Sequence, residues 1–471
     1  MRELNNDFIA QIEALRRRPG GDVLHGLLAS LENDRPIVSI RTNPRKCDGA
    51  LPLRRVAWSD NGYYIDGDRP RFTFDPALHQ GRYYVQDASS MVVGAIVKTL
   101  VARLSDRPVV YIDACAAPGG KTTAAIDALP DGSLVIANEY DRRRAEVLCE
   151  NIVKWGYPDV VVTQGDTAKY AAMPAIADIV AADVPCSGEG MMRKEAVAVE
   201  QWSAHLVEQC ASLQRSIVDN MWKALRPGGF FIYSTCTFNH KENEENLAYM
   251  VETLGAEPVA LPDFDGRIAG AIDSPYPALR FLPGRVEGEG LFVAVVRKPL
   301  GGGDAAASAD KRREKSKAAK RPSATVPGAV ASWVDEEGYA LEVDGDRVVA
   351  ISNKWKSLVA DLRKNNNVIY AGTEVAYLKG KEPVPSQALA LSRLCPVATF
   401  PRQEVDYATA LQYLSRQAVA LADAPKGYVL LTYGGEPLGF VKNLGNRANN
   451  LYPQAWAIRS SHLPDCPLKL I

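Results

Sequence analysis

Between residues 109 and 235, short apolar runs alternate with helical stretches, and this alternation restricts the fold more than any other feature of the chain. Residues 109–113, 133–138, 160–163, 177–184 and 230–235 read as buried strands. Residues 122–129, 142–155 and about 197–225 read as helices between them. Strands that are apolar on both faces, separated by helices, predict a parallel sheet covered on both sides. A further helix is expected over 242–254, and 259–261 and 291–296 are expected as closing edge strands.

In an open α/β sheet, ligands gather at the carboxyl ends of the strands, so the residues just past each strand carry the chemistry. The first strand ends at Asp113 and runs into Ala114, Cys115, Ala116, Ala117, Pro118, Gly119, Gly120 and Lys121. A loop of such small residues lets a ligand approach bare backbone amides. Its glycine spacing is neither that of a Walker loop nor that of a dinucleotide fingerprint. Glu139 closes the second strand and Asp166 follows the third. The first carboxylate stands where nucleoside cofactors present ribose hydroxyls, and the second where an adenine amine could be reached. Together the loop and the two acids point to an S-adenosylmethionine site.

The strand at 177–184 carries Asp183 and turns through Pro185 into Cys186, Ser187 and Gly188. The strand at 230–235 is followed at once by Cys236. Two thiols at two strand ends of one sheet are expected to face one pocket. An isolated cysteine is ordinarily a small buried hydrophobe; that reading suits Cys149 and Cys210, which lie in apolar helical patterns, and places Cys115 in packing beneath the small-residue loop. It suits Cys186 and Cys236 badly. The polar run from Asn239 to Glu245 reads as the acidic first turn of a helix.

At 471 residues the chain has room for about three domains. Net charge is −1, so any positive field for a nucleic acid must be local. The eight cysteines lack the paired short spacings of a zinc site, and no metal is expected. No apolar run approaches the roughly 20 residues of a membrane span, and the first residues lack a signal-peptide core; a cytoplasmic protein without membrane contact, and a monomer, is expected. Residues 1–100 form an α+β part with arginines at 41, 45, 54, 55, 69 and 71 among aromatics, either a small core with a solvated edge or a stacking surface for bases. Residues 101–300 are the α/β core, 301–327 a basic flexible linker, 328–395 a small α+β module, and 396–471 a last domain. That domain opens with a helix over 406–422 and continues as a hairpin turning at Gly434 and Gly435.

The segments from Asp113 to Lys121, Asp183 to Gly188 and Ser234 to Thr237 resemble the signature motifs of the Sun-type RNA 5-methylcytosine methyltransferases, in the same order, over roughly residues 80 to 300. Arg41-Thr42-Asn43 and the carboxyl-terminal hairpin resemble a bacterial branch that acts on small-subunit ribosomal RNA and carries a PUA-like RNA-binding domain. The resemblance implies a Rossmann-like methyltransferase core and S-adenosylmethionine bound by the segment 115–121 with Glu139, Asp166 and Asp183. It implies that Cys236 is the nucleophile, that Cys186 assists product release, and that Asp183 supports the ring nitrogen of cytosine. Lys121 is assigned to substrate or to Asp183. Such chemistry needs a covalent step, because carbon 5 of cytosine is a poor nucleophile until a thiolate adds to carbon 6. The alternatives are transfer RNA as substrate, a non-catalytic ribosome-assembly factor, and a DNA cytosine methyltransferase, whose nucleophile would sit in a Pro-Cys arrangement like that at Cys186.

Overall fold

A computed structural model describes residues 3–300 and 325–471, apart from residues 48, 105, 106, 336, 379–381, 422, 461 and 469. The amino-terminal helix Asn6–Arg16 buries Phe8, Ile12 and Leu15, spaced for one helical face. A 3₁₀ turn at Gly21–Leu24 and a helix at Leu27–Asn33 follow, separated at Gly26, whose φ of +83° only glycine adopts easily. Strand β1 (Val38–Thr42) lies between β2 (Gly62–Ile65) and β3 (Tyr83–Val85) in an antiparallel sheet. Trp58, Tyr63, Tyr64 and Phe72 are buried, so the aromatics of this part form a core and not a base-stacking face.

The alternating region makes the predicted α/β sheet. Its parallel strands are β4 (Val110–Asp113), β5 (Leu134–Glu139), β6 (Val160–Gln164), β7 (Ala177–Asp183) and β8 (Leu225–Thr235). Strands β4, β5 and β6 run outward in one direction, and the chain then crosses back to lay β7 and β8 on the other side of β4. The strand order therefore reverses between β4 and β7, the place where such sheets hold ligands. Val110 and Ile112 face one hydrophobic layer with Met221 and Tyr170, whereas Tyr111 faces the other with Ile96 and Val97. The helix expected over 197–225 is interrupted at Trp202. Ser203 caps the longer piece, Ala204–Ala224, by accepting from Leu206 N at 3.1 Å.

Beyond β8, β11 (Leu291–Arg297) lies between β8 and β10 (Leu279–Phe281), and in place of the strand expected at 259–261 the two-residue β9 (Glu257–Pro258) pairs with the end of β11. The run expected as an edge at 291–296 is thus an interior strand, antiparallel to β8, and the edge strand β10 went unread because it is only three residues long.

The expected linker lies, except for residues 325–327, outside the described residues. The module after it contains β12 (Tyr339–Asp344), β13 (Arg347–Ser352), β14 (Asn367–Ala371), β15 (Thr373–Tyr377) and β16 (Val384–Pro385). It is not free-standing. Strand β14 pairs antiparallel with β6 and belongs to the same nine-stranded sheet. The last sheet is β17 (Arg402–Glu404), β18 (Gly427–Tyr433), β19 (Glu436–Asn443) and β20 (Ala448–Asn450), with the predicted hairpin between β18 and β19. The helix expected over 406–422 spans only Tyr407–Leu414, ending before Arg416 at φ +58°. This sheet docks on the amino-terminal part through His79 Nδ1 and the Tyr452 hydroxyl at 3.0 Å, and through Gln80 Nε2 donating to Tyr433 O and Glu436 O. Among the described residues, no helix is long and apolar enough to cross a membrane, and no group of His, Cys, Asp and Glu could hold a metal ion.

Candidate active site

The loop after β4 is pinned from outside. Ala117 O accepts from Arg144 Nη2 at 2.8 Å, and Pro118 O accepts from Asn151 Nδ2 at 2.8 Å and from the Tyr84 hydroxyl at 3.1 Å. Gly119 has φ +110°, and a Cβ there would stand 3.2 Å from Leu148, so both backbone freedom and close packing demand glycine. Asp113 is buried, and burial pushes its carboxyl up to about 7 against the hydrogen bond it accepts from Thr122 Oγ1 at 2.7 Å. Burial likewise pushes the Cys115 thiol well up, helped by the nearby carboxylates of Asp113, Asp183 and Glu139; it is an inert thiol beneath the loop.

Glu139 ends β5 with its side chain buried. Oε1 accepts from Asp141 N at 3.0 Å. Oε2 accepts no hydrogen bond among the described residues, although Arg144 Nη1 lies 3.5 Å away. A buried carboxylate oxygen without a donor is costly unless a ligand supplies one, and a ribose hydroxyl is such a donor. Asp166 is exposed after β6 and turns Oδ1 to Ala168 N at 2.8 Å; it touches none of the other site residues directly.

Across the strand-order reversal, Asp183 at the end of β7 is gripped from two sides. Oδ2 accepts from Lys121 Nζ at 2.9 Å and Oδ1 from Ser234 Oγ at 2.8 Å. Burial alone would lower the Lys121 ammonium, but Asp183, its hydrogen bond and the nearby Cys236 hold it above the ordinary lysine value. The sulfurs of Cys186 and Cys236 lie 3.0 Å apart. The hydrogen bond to Cys236 and then burial push the Cys186 thiol well up. The site thus joins Lys121, Asp183, Ser234, Cys186 and Cys236, while Glu139 and the loop 115–120 stand on the other side of the reversal.

Two sets of residues behave otherwise than the sequence predicts. Asn239 and Glu242 do not open a helix; the helix begins at Glu244, and both side chains are fully buried. Glu242 accepts from Ser187 Oγ at 2.5 Å, Ser187 N at 3.1 Å, Gln214 Nε2 at 2.6 Å and Asn239 Nδ2 at 2.8 Å. Arg41 is likewise no solvated edge. It is buried, paired with Asp127, stacked 4.5 Å over Trp155, and donates to Gln86 Oε1 at 2.8 Å and Thr123 Oγ1 at 2.6 Å. It thereby ties β1 to the helix that follows the small-residue loop. The only signal available for these residues was their type, and polar residues in a polar run do not announce burial.

Three family models match the chain in sequence: the N-terminal domain of 16S rRNA methyltransferase RsmF over residues 4–88, 16S rRNA methyltransferase RsmB/F over 101–297, and the methyltransferase RsmF PUA domain over 400–458. The ribosomal RNA small subunit methyltransferase F of Shewanella amazonensis is 30% identical over 419 residues, covering 85% of each chain. The protein of that name from Klebsiella pneumoniae is 30% identical over 415 residues, covering 85% of this chain and 84% of its own. In fold, a methyltransferase homolog from Pyrococcus horikoshii aligns with a TM-score of 0.50 at 21% identity, over 63% of this chain and 100% of that one. NSun6 from the same organism, solved with SFG, aligns with a TM-score of 0.50 at 21% identity, over 61% of this chain and 97% of its own.

Proposed function

Since the chain belongs to the 16S rRNA methyltransferase RsmB/F family, we propose that this S-adenosylmethionine-dependent RNA methyltransferase modifies carbon 5 of a cytosine in 16S ribosomal RNA. The observation that carries the proposal is the pair of sulfurs 3.0 Å apart at the ends of β7 and β8. A binding protein has no use for either thiol, and a mechanism resting on Cys186 alone has no use for Cys236.

The residues on the β4 and β5 side fit the cofactor: small-residue amides, the required glycine at 119, and the unpaired buried oxygen of Glu139 for a ribose hydroxyl. Cys115 to Lys121, Glu139, Asp166 and Asp183 would hold it. When bound, S-adenosylmethionine supplies an electrophilic methyl group. The chain does the rest. Cys236 adds its sulfur electron pair to carbon 6, and the electrons of the ring double bond pass to carbon 5, making it the nucleophile. The proton given up by the Cys236 thiol passes to the ring nitrogen, and Asp183, oriented by Lys121 and Ser234, accepts a hydrogen bond from the N–H so formed. Once carbon 5 is methylated, its proton passes to solvent, the electron pair left behind re-forms the ring double bond and expels the Cys236 sulfur, and the proton on the ring nitrogen returns to that sulfur. Cys186, its sulfur 3.0 Å from that of Cys236, stands against the departing sulfur and assists its release.

The target base must leave its stack to reach the two sulfurs. The amino-terminal sheet and the carboxyl-terminal sheet, docked on one another, would grip RNA through its backbone and shape. The protein would act as a monomer in the bacterial cytoplasm. Purified small ribosomal subunits, free 16S RNA and transfer RNA, each incubated with the protein and labelled cofactor, test the substrate; bisulfite sequencing locates the base. Label at a cytosine of 16S RNA is expected. Label in transfer RNA alone would overturn the assignment.

A further inference from the structure

The two thiol-bearing loops are locked together by a pair of buried acids that cross between them. Glu189 belongs to the segment that follows Cys186, yet its Oε2 accepts from Phe238 N at 2.6 Å and Asn239 N at 3.0 Å, in the segment that follows Cys236. Glu242 belongs to the segment after Cys236, yet it accepts from the backbone N and hydroxyl of Ser187, next to Cys186. Asn239 bridges the two acids, giving Nδ2 to Glu189 Oε1 at 2.9 Å and to Glu242 Oε1 at 2.8 Å. A backbone bond from Gly190 N to Cys236 O at 2.6 Å closes the arrangement. Both carboxylates are fully buried, and burial raises Glu242.

Two neighbouring buried acids are expensive to keep, and apolar packing could have held two loops more cheaply. Their worth lies in direction. Carboxylates accept several backbone and hydroxyl donors at once and fix each donor's position, which dispersion contacts do not. The outer ends of the pair are equally determined: Trp202 Nε1 and Gln11 Nε2 donate to Glu189 at 3.1 and 2.9 Å, and Gln214 donates to Glu242.

We propose that Glu189 and Glu242 are reciprocal positioning residues, Glu189 setting the place of Cys236 and Glu242 the place of Cys186, so that the two acids govern opposite ends of the covalent cycle. The proposal rests on the roles given above to the two cysteines. A thiol misplaced by a few tenths of an ångström at Cys236 slows adduct formation; the same error at Cys186 slows its resolution.

The test compares Glu189→Gln with Glu242→Gln in the full-length protein, on 16S RNA, reading kcat, KM and the amount of protein–RNA complex that survives a denaturing gel. Both variants should lose roughly ten- to a hundredfold in kcat, the scale of a lost hydrogen bond to a charged group, with KM little changed. The complex should fall in Glu189→Gln and rise in Glu242→Gln. Ser187→Ala, a gentler cut through one arm that leaves both acids in place, should also raise it, and Ser187→Thr should restore turnover. Changes of the same sign in the two glutamine variants, or losses that merely follow the melting temperature, would overturn the proposal. A Cys186→Ala protein that forms no covalent complex with RNA would overturn the reading of the cysteines instead, and this arm separates the two failures.

Discussion

The two sides of the strand-order reversal are built to opposite standards. On the thiol side, around β7 and β8, the acids beside the sulfurs are paired on both oxygens or by several donors: Asp183 has Lys121 and Ser234, Glu242 has Ser187, Gln214 and Asn239, and Glu244 has Arg280. On the cofactor side, around β4 and β5, Glu139 keeps a buried oxygen without a hydrogen bond and Tyr111 a buried hydroxyl in the same condition. Buried polar atoms normally find partners, and under the proposed function the open oxygen of Glu139 is the one a cofactor hydroxyl would complete. The excess on the other side marks where the protein must hold reactive groups in place by itself. A donor that binds and leaves can tolerate an unfinished cradle; two sulfurs proposed to act in turn on one base cannot.

The largest effect should come from damaging the self-sufficient side. The Arg280–Glu244 pair is fully buried, with Nε and Nη2 bonded to the carboxylate at 2.5 to 2.9 Å and Nη1 giving 2.9 Å to Phe238 O beside the Cys236 loop. Glu244→Gln leaves a buried guanidinium underpaired, and about 3–5 kcal/mol of stability should be lost in urea unfolding, with cofactor affinity unchanged at temperatures where the protein is folded. Glu139→Gln should do the reverse. Stability should change little, since the lost Oε2 accepts no hydrogen bond and meets Arg144 only as a long ion pair at 3.5 Å, while titration calorimetry should show cofactor binding weakened by about 1.5–3 kcal/mol. Equal loss of stability in both variants would erase the contrast.

A smaller effect lies in the docking of the terminal parts, far from either side. Burial depresses His79 to about 3, aided by Lys154 and opposed by its bond to Thr73 O. The folded state therefore favours the neutral ring. The sign follows: His79 contributes stability in full above the unfolded value near 6.5, and that contribution shrinks as pH falls from 6.5 toward 3. Melting temperature measured at pH 7.5 and 5.5 should fall more for the wild type than for His79→Gln, and cofactor affinity in the pH 7.5 samples should not distinguish the two proteins.

Much of this layout was legible in the residues because burial on both faces of a parallel strand leaves a continuous apolar run, and the functional residues stand immediately past such runs. Asp113, Glu139, Asp183 and Cys236 are all found that way. The interruption at Trp202 was hidden because the apolar spacing of 197–225 continues through it, and only the capping hydroxyl of Ser203 sets the boundary. The crossing acids were hidden for a different reason. Asn239, Glu242 and Glu244 look like the solvated start of a helix, and nothing local tells that loops from 50 residues earlier fold over them. Strand β14 was hidden by distance along the chain, since its partner β6 lies 200 residues away, across a segment that reads as a linker.

The account turns on which sulfur bonds to RNA, and a denaturing gel of each cysteine variant with labelled 16S RNA and cofactor measures that directly. Cys186→Ala should give a stable, label-retaining protein–RNA band with little free product, and Cys236→Ala should give neither band nor product. A band from Cys236→Ala and none from Cys186→Ala would contradict the assignment and reverse the two roles.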